Sequence, residues 1–135
     1  MRFVDTNVLL YAVSTAADEE EKHRRALDVL EAPDLVLSVQ VLQEIFVQAP
    51  HGARADRLEH DQAMALVESW LRFRVVETSV ALMRAAAVTC ARWRISYWDA
   101  AIVEAAREAA CGTLLTEDLQ DGTDFAGVRV ENPFR

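Results

Sequence analysis

Short apolar runs alternate with longer stretches of helical periodicity along the whole chain. The runs predict strands at residues 3–4, 35–37, 75–76, 113–115 and 128–130, and the stretches predict helices at about 6–13, 19–32, 38–49, 62–73, 79–94 and 96–110. Strands that alternate with helices usually form a mostly parallel sheet with helices on both faces. We therefore predict one α/β domain over residues 1–135. It should have three layers (α/β/α) and a mostly parallel central sheet of about four to five strands.

Residues that favour or stop helices agree with these boundaries. Pro33 and Pro50 end two of the helices, and Gly112 lies where a left-handed residue would close the last one. Residues 51–61 are polar and predict an exposed loop. Three helices begin after a favoured N-cap residue: Ser38, Ser79 and Ser96.

The composition indicates a compact domain without a generic surface for polyanions. Apolar residues make up 52% of the 135 residues, and the formal net charge is −8, so any contact with nucleic acid must be local. Cys90 and Cys111 have no CxxC partner and are predicted as reduced core thiols. Asp5 and Asn7 interrupt the apolar N-terminal run, and no run reaches the roughly 18 apolar residues of a membrane span. We expect a soluble, cytoplasmic protein.

Four acidic residues fall at comparable places in this predicted topology. Asp5 ends the first strand, Glu44 lies about two turns into the helix after the second strand, and Asp99 lies in the first turn of the last helix. Asp118 follows the strand at 113–115. In a parallel sheet with right-handed crossovers, strand ends and the starts of the following helices share one edge. The four carboxylates are therefore predicted to meet in one cleft.

A cluster of carboxylates needs a cation to offset its repulsion. Oxygen ligands without His or Cys select a hard ion, so Mg²⁺ or Mn²⁺ is expected rather than zinc. Such an ion accepts phosphate oxygens, and a carboxylate beside it can activate water for attack on a phosphodiester. The chain is thus predicted to cleave nucleic acid.

Each acid also has a simpler structural interpretation. Asp5 could be the N-cap of the first helix, and the pair Ser96 and Asp99 fits a capping box. Asp118 could begin a turn, and Glu117 or Asp121 could share its role. Glu44 is harder to explain structurally, because a carboxylate beside apolar residues is unusual without a partner.

The motifs around these acids resemble those of a known family. The segments FVDTNVL (3–9), QE (43–44), YWDAAI (97–102) and LTEDLQDG (115–122) occur in an order and spacing that span the chain. Together they are similar to the PIN-domain ribonucleases, and most of all to the VapC toxins of bacterial type II toxin–antitoxin systems. The DTN opening and the WDAAI block are specific in combination, although either alone would be weak.

The resemblance implies a fold, an activity and partners. It implies a PIN-like fold and a metal-dependent endoribonuclease (a hydrolase) that uses Mg²⁺ or Mn²⁺ on RNA of the tRNA or rRNA class. It also implies a homodimer and a cognate antitoxin protein. Asn7 matches a residue that orients the first acid, and Thr116 matches a hydroxyl residue beside the last acid. The predicted catalytic and metal-binding residues, with Thr116 as the hydroxyl group, are Asp5, Glu44, Asp99, Thr116 and Asp118.

The chain departs from the family near its C-terminal motif. Many relatives carry T-x-N-x-x-D-F there, so Asp118 matches the Asn and Asp121 matches the Asp. Which of the two would contact metal stays open from the sequence. His51 and His60 lie among acids in the 51–61 loop, but a second metal site there is disfavoured.

Two further features and two rival functions complete the sequence-based picture. Arg92 and Arg94 suit a helix C-terminus, and phosphate contact is the alternative. Trp98 is predicted in the core against Ile102, with base stacking as the alternative. A haloacid-dehalogenase-type phosphatase would need a second acid where Asn7 stands. The remaining rival is a catalytically silent PIN-like module that binds RNA or protein.

Overall fold

The computed structural model describes residues 1–50 and 57–135, and these form an α/β fold of three layers with a central sheet. The strands in the described residues are β1 (Arg2–Val4), β2 (Leu35–Ser38), β3 (Arg74–Val76), β4 (Thr113–Leu115), β5 (Asp124–Phe125) and β6 (Val128–Glu131). The helices are α1 (Thr6–Ala12), α2 (Glu20–Leu30), α3 (Val39–Gln48), α4 (His60–Trp70), α5 (Val80–Trp93) and α6 (Tyr97–Glu108), with a 3₁₀ turn at Ala17–Glu19.

The sheet has the order β3-β2-β1-β4-β6-β5. All neighbouring strands pair in parallel except β5, which is antiparallel to β6. The sheet thus has six strands in the described residues, one more than predicted, because the two-residue β5 is too short to show a hydrophobic pattern. The mostly parallel α/β prediction is confirmed.

The strand order reverses beside β1. The chain builds β1, β2 and β3 outward in one direction and then returns to place β4 on the other side of β1. Ligands of open α/β sheets bind at such a reversal, in the crevice outside the carboxyl ends of the strands. The residues that follow β1 and β4 therefore lie where a site is expected.

The core is continuous beneath this edge. Phe3, Val4, Leu114 and Leu115 are fully buried, so the two central strands are apolar up to the residues where they end. Ser38, Ser79 and Ser96 each accept a backbone N–H with their side chains, which confirms the predicted helix starts. None of the helices in the described ranges is long and apolar enough to cross a membrane.

The end of α6 differs from the prediction. Ala110, not Gly112, takes the left-handed conformation, with φ of 57°. The N–H of Cys111 donates to Ala106 and the N–H of Ala110 to Arg107, which is the hydrogen-bond pair of a Schellman motif. The prediction was wrong by two residues because alanine occupies the position that usually favours glycine.

Two other sequence-based predictions have mixed outcomes. Cys111 is buried and Cys90 is half-buried, and both are free thiols, so only Cys111 lies fully in the core. In the predicted 51–61 loop, His60 and Asp61 instead begin α4. His51 lies outside the described residues, so the second metal site considered for His51 and His60 lies partly outside them as well.

Candidate active site

Asp5 lies at the centre of a hydrogen-bond network at the carboxyl edge of β1 and β4. Its Oδ1 accepts the backbone N–H of Thr6 at 2.7 Å, so Asp5 does cap α1. Its Oδ2 accepts the hydroxyl of Thr116 at 2.8 Å, from a residue 111 positions away. The capping and site interpretations of Asp5 are therefore compatible, because each uses a different carboxylate oxygen.

Asn7 connects the two strand ends. Its Nδ2 lies 3.0 Å from Thr116 Oγ1 and 3.1 Å from Asp118 Oδ2, and 3.4 Å from Asp5 Oδ2. The Glu117 backbone N–H points to Asn7 Oδ1 at 3.4 Å. Asn7 was predicted to orient the first acid, but its shorter contacts are to the residues that follow β4.

Thr116 is fully buried, and its hydroxyl makes all the hydrogen bonds that a hydroxyl can make. The single O–H hydrogen goes to Asp5, and the oxygen accepts from Asn7 Nδ2 and, at 3.1 Å, from the Asp118 N–H. A hydroxyl has one donor hydrogen and two lone pairs. Thr116 therefore positions Asp5 and Asp118 and has no hydrogen left for a substrate.

Glu44 reaches the network from α3. The hydroxyl of Thr6 donates to Glu44 Oε2 at 2.5 Å, and Gln40 Nε2 donates to Oε1 at 2.9 Å. These donors explain how a carboxylate is tolerated beside the buried Leu42 and Ile45. Thr6 and Gln40 were missed from the sequence, although Gln40 stands four residues before Glu44, a spacing that places both on one helix face.

Asp99 lies in the first turn of α6, where Ser96 Oγ accepts its backbone N–H at 3.0 Å. The capping interpretation is thus correct for its backbone. Its carboxylate is nevertheless within electrostatic range of two other acids: burial raises the pKa of Asp99, a hydrogen bond with Ser96 lowers it, and the charges of Asp118 and Glu44 raise it further.

Asp118 and Glu44 act electrostatically on Asp5 as they do on Asp99. Burial raises the pKa of Asp5 from 3.8 to about 7, and the hydrogen bonds from Thr116 and Thr6 only partly offset this. The charges of Asp118 and Glu44 contribute in the raising direction. Acids whose pKa is raised by burial and by neighbouring negative charges are common at functional sites.

The donor set suits a hard divalent cation, since it consists of carboxylate oxygens with a threonine hydroxyl and an amide beside them. Yet within residues 1–50 and 57–135, no three His, Cys, Asp or Glu side chains are arranged so that they could hold a metal ion. The carboxylate oxygens of Asp5 and Glu44 instead accept hydrogen bonds from protein donors, which are Thr6, Thr116 and Gln40. An ion would have to draw them together, and Asp5 Oδ1 and the two oxygens of Glu44, which accept one hydrogen bond each, keep a lone pair for it.

The two alternative acids after β4 are engaged elsewhere. Glu117 accepts from the Tyr11 hydroxyl at 2.6 Å and from Lys22 Nζ at 2.9 Å. Asp121 accepts the Asn132 N–H at 2.7 Å and Arg135 at 3.1 Å. Of the three acids that the sequence left open, Asp118 is the one whose carboxylate contacts the network.

Trp98 differs from its predicted place in the core. Trp98 is 64% exposed, so the prediction that it packs in the core against Ile102 was wrong. Trp93 is half-buried and packs edge-on against the core residue Phe125, with 5.0 Å between ring centroids. Arg92 stacks over Trp93, and Arg94 is the left-handed C-cap of α5, as expected for residues that end a helix.

A family model, the PIN domain, matches residues 2–125 of the chain. The chain belongs to the PIN-domain family. The match covers β1 to β5 and all four acids of this PIN domain. A sequence search of curated proteins found no match.

Solved structures share the PIN fold at low sequence identity. A toxin–antitoxin complex from Klebsiella pneumoniae has a TM-score of 0.74 at 20% identity, over 98% of each chain. VapC20 from Mycobacterium tuberculosis, described as a sarcin-ricin loop cleaving toxin, has 0.68 at 21%, over 84% of this chain and 87% of that one. FitAcB from Neisseria gonorrhoeae has 0.68 at 18%, over 99% of each chain.

Proposed function

We propose that this PIN domain is a Mg²⁺- or Mn²⁺-dependent endoribonuclease, and that it is the toxin of a toxin–antitoxin pair. The observation that carries the proposal is the network in which Thr6, Asn7 and Thr116 join the carboxylates of Asp5, Glu44 and Asp118. The charges of two of these carboxylates, Glu44 and Asp118, raise the pKa of the fourth acid, Asp99. Metal binding is assigned to the four carboxylates, Asp5, Glu44, Asp99 and Asp118.

The acids and their hydrogen-bonding partners would have different roles in the site. Asp5 and Glu44 are held by donors from their own elements, so they form the fixed part of the site. Asp118 is exposed and Asp99 is half-buried, so these two can adjust to an incoming phosphate. Thr116 and Asn7 set the distance between the β1 and β4 sides. A bound divalent ion would supply the positive charge that offsets both the carboxylates and the RNA phosphate.

The test is cleavage of an RNA panel that includes tRNA and rRNA fragments, with Mg²⁺, with Mn²⁺ and with EDTA. We expect specific cleavage only with metal, and its loss in Asp99→Asn. Glu108→Gln, an exposed acid at the other end of the same helix, is the matched control and should keep wild-type activity. Metal-independent cleavage, or full activity of Asp99→Asn, would refute the assignment. A folded protein that cleaves no RNA in the panel would favour the catalytically silent module.

The antitoxin partner is proposed because the similar structures include toxin–antitoxin complexes. A neighbouring small reading frame that encodes a DNA-binding protein would identify the candidate. Expression of the chain alone should then arrest growth, co-expression of that protein should restore it, and Asp99→Asn should not be toxic. Growth arrest by Asp99→Asn would contradict the nuclease toxin. The proposed homodimer is tested separately by light scattering of the purified chain.

A further inference from the structure

A groove lies directly beside the acid network, between α3 and the start of α6. Its volume is about 420 Å³, within the usual range for small-molecule pockets. The lining residues are Gln40, Gln43, Glu44, Val47, Gln48 and Trp98. Because Glu44 lines both the groove and the network, a substrate whose phosphate lies at the acids would extend into this groove.

Trp98 is unusual for a tryptophan in leaving 64% of its surface in water. The ring is nevertheless supported. Tyr97 packs against it edge-on, with 5.0 Å between centroids and 85° between planes. Gln40 Nε2 donates to the Trp98 backbone carbonyl at 3.2 Å and to Glu44 Oε1 at 2.9 Å. One amide therefore ties the backbone of Trp98, which carries this exposed indole, to a carboxylate of the site.

The chemistry of the lining selects the neutral part of a nucleotide. Among the described lining residues none is Lys or Arg, and Glu44 disfavours an anion, so a phosphate is not the expected occupant. An aromatic face with side-chain amides suits a nucleobase, which stacks on aromatic rings and hydrogen-bonds through its edges. Gln43 and Gln48 are exposed along the groove and offer such amides.

We propose that this groove is a nucleobase subsite, in which one unpaired base next to the scissile phosphate stacks on Trp98 and is read by the glutamines of α3. The inference rests on the proposed ribonuclease function and adds the substrate feature: a single-stranded base. An antitoxin segment is the other occupant with suitable chemistry, and the experiment distinguishes the two.

The first experiment measures binding without catalysis. With Mg²⁺ present, short single-stranded homopolymers of A, C or U are titrated into the Asp5→Asn protein, which we expect to bind RNA without cleaving it. Trp70 is buried and Trp93 half-buried, so a change in emission from the exposed indole reports on Trp98. We expect quenching by at least one homopolymer, and none in the Asp5→Asn, Trp98→Phe double variant. No quenching by any of them overturns the subsite, whether or not the wild-type protein cleaves RNA.

The second experiment uses a cleaved RNA whose cut site is known. One nucleotide at a time beside the cut is made abasic. At one position the wild type should lose roughly 5- to 150-fold in kcat/KM, the range for one stacked base. Trp98→Ala should lose a similar factor on intact RNA and be insensitive to that abasic site, while Trp98→Phe should keep most activity. Because Trp98 is exposed, Trp98→Ala should fold normally, and Val88→Ala, 68% exposed on α5, is the control.

The outcomes separate the two proposals. Failure of the wild type to cleave any RNA, with metal present, refutes the proposed function, and the fluorescence titration still decides whether a base binds. Normal cleavage by Trp98→Ala, with the same abasic sensitivity as the wild type, refutes the subsite and leaves the function standing. Loss of antitoxin binding in Trp98→Ala without any change in RNA cleavage assigns the groove to the antitoxin and overturns the proposal.

Discussion

Replacing Asp5 with asparagine should stabilise the metal-free protein at alkaline pH. The pKa of Asp5 is raised from 3.8 to about 7, chiefly by burial. Between pH 3.8 and about 7, the folded state therefore keeps a proton on Asp5 that the unfolded state has lost. The contribution of Asp5 to the free energy of unfolding falls as the pH rises through this range and stays constant above it. By linkage, the full difference corresponds to about 4 kcal/mol. Asparagine cannot ionise, so the variant lacks this loss.

The gain is reduced by the hydrogen bonds of the replaced side chain. Asparagine retains an acceptor for the Thr6 N–H, and it is a favoured N-cap. It loses the acceptor for the Thr116 hydroxyl, and an unpaired buried group costs about 1–3 kcal/mol. The net effect of Asp5→Asn at pH 8 is thus a gain of about 1–3 kcal/mol. Near pH 4.5 the gain should vanish or change sign.

The assay is urea unfolding of wild type and Asp5→Asn in EDTA at both pH values. The difference between the two proteins isolates Asp5 from the other titrating groups. Asp28→Asn, an exposed residue of α2, controls for the chemistry of the substitution and should show no pH-dependent difference. If Asp5→Asn is less stable than wild type at pH 8, and by the same amount at pH 4.5, Asp5 is chiefly a helix cap and the reasoning fails.

Three further predictions concern the acids and their supports. Mg²⁺ or Mn²⁺ at 100 times its Kd should stabilise the wild type by about 2.7 kcal/mol in thermal unfolding, and Asp118→Asn should weaken this response; a flat response would count against the metal site. Thr116→Val should cost about 1–3 kcal/mol of unfolding free energy in urea, because Asp5 and Asn7 lose a buried partner, whereas equal stability of Thr116→Val and Thr116→Ser would show that the hydroxyl is dispensable. Glu117→Gln should keep RNA cleavage within a few-fold while Asp118→Asn abolishes it, and the reverse order of activities would exchange their assigned roles.

The sequence predicted the parts of the site that follow from topology. An acid after a first strand and acids after later strands must share an edge if the sheet is parallel, and Asp5 and Asp118 do. The serine caps were equally predictable, because an N-cap depends on only a few neighbouring residues. The capping and site interpretations of Asp5 competed in the sequence but coexist in the structure, since a carboxylate has two oxygens.

The missed features depend on contacts between distant side chains. Nothing near Glu117 signals that Tyr11 and Lys22 will pair with it from 106 and 95 residues away. Trp98 shares a helix face with the buried Ile102, but it lies in the first turn of α6, at the rim of the groove rather than over the sheet. Helical spacing predicts the face of a residue and not how far along the helix the core extends.

The central position of β1 has a consequence for biosynthesis. Val4 leaves the ribosome well before its sheet partner Leu115, which lies 111 positions later. Thr116, whose hydroxyl donates to Asp5, belongs to the same late segment. Whatever chemistry this edge performs, a nascent chain lacks it until β4 and the residues after it have left the ribosome and paired with β1.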